Sequence, residues 1–128
     1  MNNSTPAPSQ QGSILCVEDD KDTCELLGVL FPNYDVVFAH TVGEGLRLFE
    51  SRQFNLCLLD NWLPDGSGIE LCKKIRALNQ DIPIVFASAV GYKADIQKAL
   101  DAGAQEYLVK PYEPEKLLKI VKNLIEKK

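Results

Sequence analysis

The sequence predicts an α/β fold in which five parallel strands form one sheet with helices on both faces. Short apolar runs of four to six residues alternate with longer segments that have helical spacing. The runs are rich in Val, Ile, Leu, Phe and Tyr, as expected for strands that are buried on both faces. Regular alternation of strands and helices predicts a parallel sheet, because each helical crossover returns the chain in the same direction. The predicted strands are Ser13–Val17, Tyr34–Ala39, Asn55–Leu59, Ile82–Ala87 and Glu106–Val109.

Each connecting segment carries an apolar stripe at helical spacing, which predicts five amphipathic helices. Pro32 follows the first helix, Gly103 follows the fourth, and Pro114 begins the fifth. Asp20 is expected to cap the N terminus of the first helix. The stripes comprise Cys24, Leu27, Leu30 and Phe31; Leu46 and Phe49; Cys72, Ile75 and Leu78; Ile96, Ala99 and Leu100; and Leu117, Val121, Leu124 and Ile125.

Composition restricts the class of protein and its partners. The 128 residues, 45% hydrophobic and 25% charged, are enough for one domain with a buried core. A net charge of -4 argues against DNA or an anionic membrane as the main partner. No apolar run approaches the roughly 20 residues that cross a bilayer. The first residues carry no secretory signal, so we expect a flexible leader over 1–12 and a folded domain over 13–128.

The cysteines and the single histidine indicate neither a zinc cluster nor disulfides. No Cys-x-x-Cys pair is present, and each cysteine lies in an apolar strand or helix pattern. Buried, reduced thiols are therefore expected, which predicts a cytoplasmic protein. His40 follows the second strand without a metal-binding partner at suitable spacing, and it is expected to be a surface or loop residue. The cysteines are Cys16, Cys24, Cys57 and Cys72.

Polar and charged residues follow the predicted strands at one edge of the sheet. Right-handed crossovers bring the carboxyl ends of parallel strands to the same edge, where ligands of such folds bind. Several carboxylates in one place suit a hard divalent cation such as Mg²⁺, which offsets their mutual repulsion. The residues are Glu18, Asp19 and Asp20 after the first strand, Asp60 after the third, Ser88 after the fourth, and Lys110 with Pro111 after the fifth.

This combination of side chains indicates a site that accepts a phosphoryl group. A carboxylate beside a cation can attack phosphorus, because the metal neutralises the incoming charge. The hydroxyl of Ser88 and the ammonium group of Lys110 would contact phosphoryl oxygens. Taken singly, Asp20 could be only a helix cap, and Asp60 could only open a turn before Pro64. Their joint occurrence at the ends of four strands favours the chemical role.

The chain resembles the receiver domain of two-component response regulators, the chemotaxis-regulator-like (CheY-like) family. The resemblance covers residues 13–127 and depends on four motifs with matching spacing. It implies a doubly wound, flavodoxin-like (βα)5 fold with strand order 2-1-3-4-5, and a phosphorylated signalling switch rather than an enzyme. The motifs are VED at 17–19, LLDNWLP at 58–64 with Gly68 after it, FASA at 86–89 and EYLVKP at 106–111.

The resemblance implies a phosphoryl acceptor and a metal site. Asp60 would be phosphorylated by a histidine kinase or a histidine phosphotransfer protein. Mg²⁺ would be held by Glu18, Asp19 and Asp60, with the backbone carbonyl of Trp62 as a further ligand. Glu18 stands where many relatives have Asp, and its longer side chain is expected to reach the metal through water. Trp62 and Val90 are expected to shield the acyl phosphate and to slow its hydrolysis.

The resemblance also implies a conformational switch. Ser88, in place of the commoner Thr, and Lys110 would contact the phosphoryl group, and the Lys110–Pro111 peptide is expected to be cis. Movement of Ser88 would leave space into which Tyr107 rotates. The fourth helix, fifth strand and fifth helix would then change, and an unknown target protein would bind there. We expect no direct nucleic-acid partner, no membrane partner, and a monomer or a weak phosphorylation-dependent dimer.

Other functions remain open at this point. A haloacid-dehalogenase-like phosphatase also uses an Asp nucleophile with Mg²⁺, but it needs a second Asp where this chain has Trp62. A flavodoxin-like flavin carrier needs a hydroxyl- and glycine-rich loop after the first strand, where this chain has acidic residues. A receiver that only docks proteins is the third alternative, and the intact acceptor set argues against it. The length leaves no room for an effector domain, so we expect output by protein contact.

Overall fold

The computed structural model describes residues 11–127 and has the predicted α/β architecture. The leader predicted over 1–12 therefore lies outside the described residues, except for 11 and 12. Within 11–127, no helix is long and apolar enough to cross a membrane. The strands are β1 (Ser13–Val17), β2 (Asp35–Ala39), β3 (Leu56–Leu59), β4 (Trp62–Leu63), β5 (Gly66–Ser67), β6 (Ile84–Ser88) and β7 (Glu106–Val109).

Five of these strands form one parallel sheet in the order β2-β1-β3-β6-β7. This is the expected order 2-1-3-4-5 when the strands of the main sheet are counted along the chain. The short strands β4 and β5 form a separate antiparallel hairpin, which the sequence predicts only as a turn at Pro64. β6 begins later than predicted, after Pro83, and includes Ser88, which was expected just beyond it.

Alternate residues of each strand fill two cores, one on each face of the sheet. In β1, Ile14 and Cys16 belong to one core, and Leu15 and Val17 belong to the other. All four are at most 1% exposed, so the strand is apolar throughout rather than alternating with polar residues. The first core is covered by α1 (Lys21–Leu30) and α5 (Pro114–Glu126), and the second by α2 (Val42–Ser51), α3 (Gly68–Leu78) and α4 (Lys93–Asp101).

The helix ends follow the predicted signals, and the stripes do so with two exceptions. The Asp20 carboxylate caps α1 by accepting a hydrogen bond from the Thr23 N–H at 3.0 Å, and Pro114 is the first residue of α5. Leu78 and Leu100, predicted to face the core, are 55% and 38% exposed. Leu78 is the last residue of α3, where the helix no longer packs fully against the sheet.

All four cysteines are buried and free, as predicted. They lie in β1, α1, β3 and α3, the elements that fill the two cores. His40 is exposed in the loop after β2, also as predicted. Its ring Nδ1 nevertheless lies 3.0 Å from the backbone carbonyl oxygen of Glu18, within hydrogen-bond distance.

Candidate functional site

The carboxyl ends of β1 and β3 place two acidic side chains next to each other. Glu18 directly follows β1, and its backbone N–H donates to the Ala39 carbonyl at 2.9 Å. Asp60 directly follows β3, and its N–H donates to the Val17 carbonyl at 3.0 Å. These bonds extend the hydrogen bonding of the sheet one residue beyond each strand. The backbone that carries each acidic side chain is therefore held in place. Glu18 is 4% exposed and Asp60 is 9% exposed, whereas Asp19 lies at the surface.

Three carboxylates meet closely enough to hold one cation. Glu18, Asp19 and Asp60 each offer a carboxylate oxygen, and these oxygens lie within 4.8 Å of one another. Mg²⁺ binds oxygen ligands at about 2.0–2.1 Å and keeps several waters, so a small inward movement of the three groups suits it. The exposed position of Asp19 leaves one side of the site open to water. The donor set therefore fits Mg²⁺, and the carbonyl of Trp62 remains a predicted further ligand.

Lys110 provides the positive charge of the site. Its Nζ lies 2.9 Å from Glu18 Oε1 and 3.8 Å from Asp60 Oδ2. Burial lowers the pKa of Lys110, but the hydrogen bond with Glu18 and the charge of Asp60 outweigh it, so the pKa is raised overall. Burial raises the pKa of Glu18 by more than its hydrogen bonds with Lys110 and the Asp20 N–H lower it. Lys110 therefore stays charged beside two acids.

Ser88 lies beside Lys110 at the end of β6. It is 1% exposed, and its carbonyl accepts a hydrogen bond from the backbone N–H of Lys110 at 2.8 Å. Its Oγ accepts from the Val90 N–H at 3.3 Å, so the hydroxyl proton can still be donated to another acceptor. The Lys110–Pro111 peptide is cis, as the resemblance implies. Hydroxyl, lysine and carboxylates thus share the carboxyl edge of the sheet.

Tyr107 already lies inward in this structure. Its ring stacks on Phe86, with centroids 5.4 Å apart and the planes inclined by 6°. Its hydroxyl donates to the Val90 carbonyl at 2.6 Å, and Asn61 Nδ2 lies 3.4 Å from the same hydroxyl oxygen. The resemblance implies that Tyr107 rotates inward after Ser88 moves, whereas here the inward position is occupied while Ser88 still bonds to the Val90 N–H.

Gly68 is required for the close packing of α3 against the site. A methyl group at this position would overlap the backbone carbonyl of Asp60 and would lie 3.0 Å from a ring carbon of Phe86. The Gly68 N–H donates to the Asn61 carbonyl at 2.7 Å. The glycine that follows the LLDNWLP motif therefore brings the first turn of α3 directly against the backbone of Asp60.

Sequence reasoning missed two residues in the segment that follows β3, Asn61 and Asp65. Asn61 is a polar residue that is 2% exposed, and its only sequence signal is its place directly after Asp60 in the LLDNWLP motif. Asp65 accepts hydrogen bonds from the N–H groups of Val42 at 2.7 Å and Gly43 at 3.0 Å. Asp65 lies in the turn between β4 and β5, whereas its partners are the first residues of α2, so no local pattern could have identified them.

Fold and site together define the class of this chain, a doubly wound α/β protein with an acidic pocket and a lysine at its carboxyl edge. Comparison with protein families matches residues 14–122 to the response regulator receiver domain. The chain belongs to that family, the receiver domains of two-component systems. Its members are generally signalling switches rather than enzymes in the usual sense.

Curated relatives and solved structures support the assignment. The chain spans about half the length of the curated relatives that it matches. "Response regulator ArlR" of Staphylococcus saprophyticus is 36% identical, over 88% of this chain and 51% of that protein. "Transcriptional regulatory protein DltR" of Streptococcus agalactiae is 35% identical, over 82% of this chain and 48% of that protein.

Two solved structures have nearly the same fold over most of their length. A two-component response regulator from Clostridium difficile has a TM-score of 0.87 and 32% identity, over 91% of this chain and 98% of that chain. A CheY-like receiver domain protein from Methanospirillum hungatei has a TM-score of 0.85 and 34% identity, over 89% of this chain and 93% of that chain.

Proposed function

We propose that Asp60 accepts a phosphoryl group from a phosphohistidine on a histidine kinase or a histidine phosphotransfer protein. The main support is the approach of Lys110 Nζ to both Asp60 and Glu18, at 3.8 and 2.9 Å. An Asp60 oxygen forms a bond to phosphorus while the phosphorus–nitrogen bond breaks, and the electron pair of that bond stays on the imidazole nitrogen. A purely structural ion pair would need one acid, whereas three carboxylates and a lysine meet here.

Each neighbouring side chain has a separate task in this reaction. Glu18, Asp19 and Asp60 would hold Mg²⁺, and the bound ion would neutralise charge on the phosphoryl oxygens. Lys110 offers a positive charge 3.8 Å from a carboxylate oxygen of Asp60. Ser88 donates a hydrogen bond from its hydroxyl to a phosphoryl oxygen, because its bond with the Val90 N–H uses only a lone pair of the hydroxyl oxygen.

The phosphodonor needs a contact surface beside Asp60, and α1 offers an apolar one. Leu26 and Val29 are 71% and 77% exposed. With Pro111 and Tyr112 they line a groove that extends to Lys110. Contiguous exposed apolar surface usually marks a contact with another protein. Because Lys110 belongs to both the groove and the site, a donor protein that binds this groove would present its histidine next to Asp60.

The output surface is formed by α4, β7 and α5. Tyr92, just before α4, is 74% exposed, and Val109 in β7 is 39% exposed. Tyr107 lies in β7 and contacts the β6–α4 loop through Val90, so a change at Ser88 reaches this surface directly. A target protein would read the changed surface, because a ligand shifts a conformational equilibrium only through contacts that differ between the two states.

Trp62 fluorescence tests the acceptor role. Trp62 is the only tryptophan and lies two residues from Asp60, so its emission reports on this site. We expect a response to Mg²⁺ and a further response to beryllofluoride, an analogue of the phosphoryl group. Asp60→Asn should lose the beryllofluoride response, because the analogue needs a carboxylate oxygen to bind.

Asp81→Asn is the matched control, since Asp81 precedes β6 at the opposite edge of the sheet and should leave both responses intact. An undiminished beryllofluoride response in Asp60→Asn would contradict the acceptor role. Sustained hydrolysis of free phosphate esters would instead support the phosphatase alternative.

A further inference from the structure

Asn61 is a buried polar residue at the end of the strand that carries Asp60. It is 2% exposed. Its backbone carbonyl accepts a hydrogen bond from the Gly68 N–H, which fixes this peptide against the start of α3. A buried side-chain amide is unfavourable unless it forms hydrogen bonds, so a polar residue at this position needs a partner.

Tyr107 is that partner. Asn61 Nδ2 donates a hydrogen bond to the Tyr107 hydroxyl oxygen at 3.4 Å. Among residues 11–127, the Asn61 side chain forms no other hydrogen bond. Tyr107 donates its own hydroxyl proton to the Val90 carbonyl at 2.6 Å. The phenolic oxygen then offers only lone pairs, and the Asn61 amide offers a donor. The two hydrogen bonds therefore have compatible directions and connect Asn61 to Val90 through Tyr107.

The same connection reaches the predicted phosphoryl-binding hydroxyl. The Val90 N–H donates to Ser88 Oγ at 3.3 Å. Val90 and Ser88 are 6% and 1% exposed, so these groups have little access to water as a replacement partner. Outward rotation of Tyr107 would leave both the Asn61 amide and the Val90 carbonyl without this partner. Asn61 thus disfavours the outward position, which an apolar residue at 61 would not do.

We propose that Asn61 is a positioning residue that stabilises the inward position of Tyr107. The link between Tyr107 and signalling rests on the proposed function, whereas the hydrogen bond between Asn61 and Tyr107 does not depend on it. A hydrogen bond of ordinary strength changes a two-state ratio roughly fivefold. Replacing Asn61 by an apolar residue is expected to raise the outward-to-inward ratio of Tyr107 by about that factor.

Fluorine NMR of protein labelled with 3-fluorotyrosine tests the proposal without phosphorylation. The chain has four tyrosines, and Tyr107→Phe identifies the Tyr107 resonance by its loss. Asn61→Leu keeps the side-chain size and removes the amide. In this variant we expect the Tyr107 resonance to move toward that of a solvent-exposed ring, or a second exposed resonance to grow about fivefold. An unchanged Tyr107 resonance in Asn61→Leu would overturn the proposal.

A double-mutant cycle on the free energy of unfolding gives an independent measurement. We expect Asn61→Leu and Tyr107→Phe to be non-additive, because both remove the same hydrogen bond, and strict additivity would contradict the proposal. Asn123→Leu, at an exposed position in α5, is the matched control and should leave the Tyr107 resonance unchanged. Evidence that Asp60 does not accept a phosphoryl group would overturn only the proposed function. Both measurements of the Asn61–Tyr107 hydrogen bond use the unmodified chain and do not depend on phosphorylation.

Discussion

Three consecutive residues, Asp60, Asn61 and Trp62, have three different environments. Asp60 and Asn61 are 9% and 2% exposed, whereas Trp62 is 70% exposed. The chain turns sharply between β3 and β4, and each side chain therefore meets different neighbours. The carboxylate lies near Lys110, the amide bonds to Tyr107, and the indole lies at the surface two residues after Asp60. If Trp62 slows hydrolysis of the proposed phosphorylated Asp60, it therefore does so from the solvent-exposed side of the site.

We expect Trp62→Asn to shorten the half-life of phosphorylated Asp60 roughly fivefold, which corresponds to about 1 kcal/mol in the hydrolysis barrier. The large apolar side chain restricts the approach of water to the acyl phosphate, and a small polar one can orient a water molecule instead. The measurement is the decay of phosphorylated protein after a small-molecule phosphodonor is removed. Trp62→Phe keeps an apolar ring and should retain most of the half-life. An equal half-life in Trp62→Asn would contradict the shielding role.

At the scale of elements, the short hairpin β4–β5 holds the N terminus of α2. The first N–H groups of a helix have no partner within the helix. Here the Thr41 hydroxyl accepts from the Glu44 N–H at 3.0 Å, and Asp65 accepts from Val42 and Gly43. Three of these N–H groups are thus paired by two separate parts of the chain. The hairpin that follows Asp60 is thereby fastened to the helix beside it.

Asp65→Asn should lower the melting temperature by a few degrees near neutral pH, because it removes a negative charge from a helix N terminus. The Gly43 and Val42 N–H groups lower the pKa of Asp65. Its stabilisation is therefore complete above the unfolded-state pKa of about 3.9 and is lost as the pH falls through the lower folded-state pKa. The difference in melting temperature between Asp65→Asn and the parent should accordingly vanish in strong acid.

Thermal unfolding followed by circular dichroism across the acidic range measures this difference. The control is Asp81→Asn, which removes an exposed carboxylate that forms no side-chain hydrogen bond within the described part of the chain. A difference between Asp65→Asn and the parent that stays constant with pH would contradict the explanation.

Arg76 has a comparable connecting role at the opposite edge of the sheet. Its guanidinium donates to the backbone carbonyls of Asn79, Ile82 and Gly103. These carbonyls belong to the loops that lead into β6 and β7. Gly103 adopts a φ of 115°, and a side chain there would also meet Arg76. A half-buried arginine is therefore satisfied by backbone acceptors, and the entry into both strands is held in place.

At the scale of the whole molecule, the sheet is the buried centre between two cores, and this determines the chemistry of the thiols. Cys57 lies in β3 and is 0% exposed. Burial raises its pKa to about 12, because a thiolate in the core would lose its hydration. Cys16, in the neighbouring strand β1, has its pKa raised for the same main reason. These thiols stay protonated and unreactive at neutral pH in the folded protein.

The free energy of unfolding should therefore fall at alkaline pH. The unfolded-state thiol of Cys57 ionises near pH 8.5, whereas the folded-state thiol does not until about pH 12. Its contribution is present below the unfolded-state pKa and is lost as the pH rises toward the folded-state pKa. Between pH 8 and pH 10 this loss amounts to about 2 kcal/mol for Cys57.

Urea denaturation of the parent and of Cys57→Ala at several pH values measures the loss. The other three cysteines are common to both proteins, so the difference isolates Cys57. Near neutral pH, Cys57→Ala should have a lower free energy of unfolding than the parent, because the substitution leaves a small cavity. The difference in free energy of unfolding between the two proteins should become smaller as the pH rises. Parallel pH dependences for the two proteins would contradict the prediction.

Much of the fold was predictable because its signals are local. Strand residues buried on both faces are continuously apolar, and helices carry one apolar stripe, so the order of elements follows from periodicity. The acidic group after β1, Asp60, Ser88 and Lys110 could be assigned to one edge because strand ends in a parallel sheet meet there. Leu78 and Leu100 were misplaced because a stripe does not indicate where a helix leaves the sheet.

The sequence by itself determined which residues form the sheet and which polar groups reach its carboxyl edge, since both depend on patterns a few residues long. Only the tertiary structure decided how those groups pair. The bonds of Asp65 to α2, of Arg76 to the β6 and β7 loops, and of Asn61 to Tyr107 join segments far apart in the chain. Such pairs depend on the angles and distances at which whole elements pack, and no local pattern contains that information.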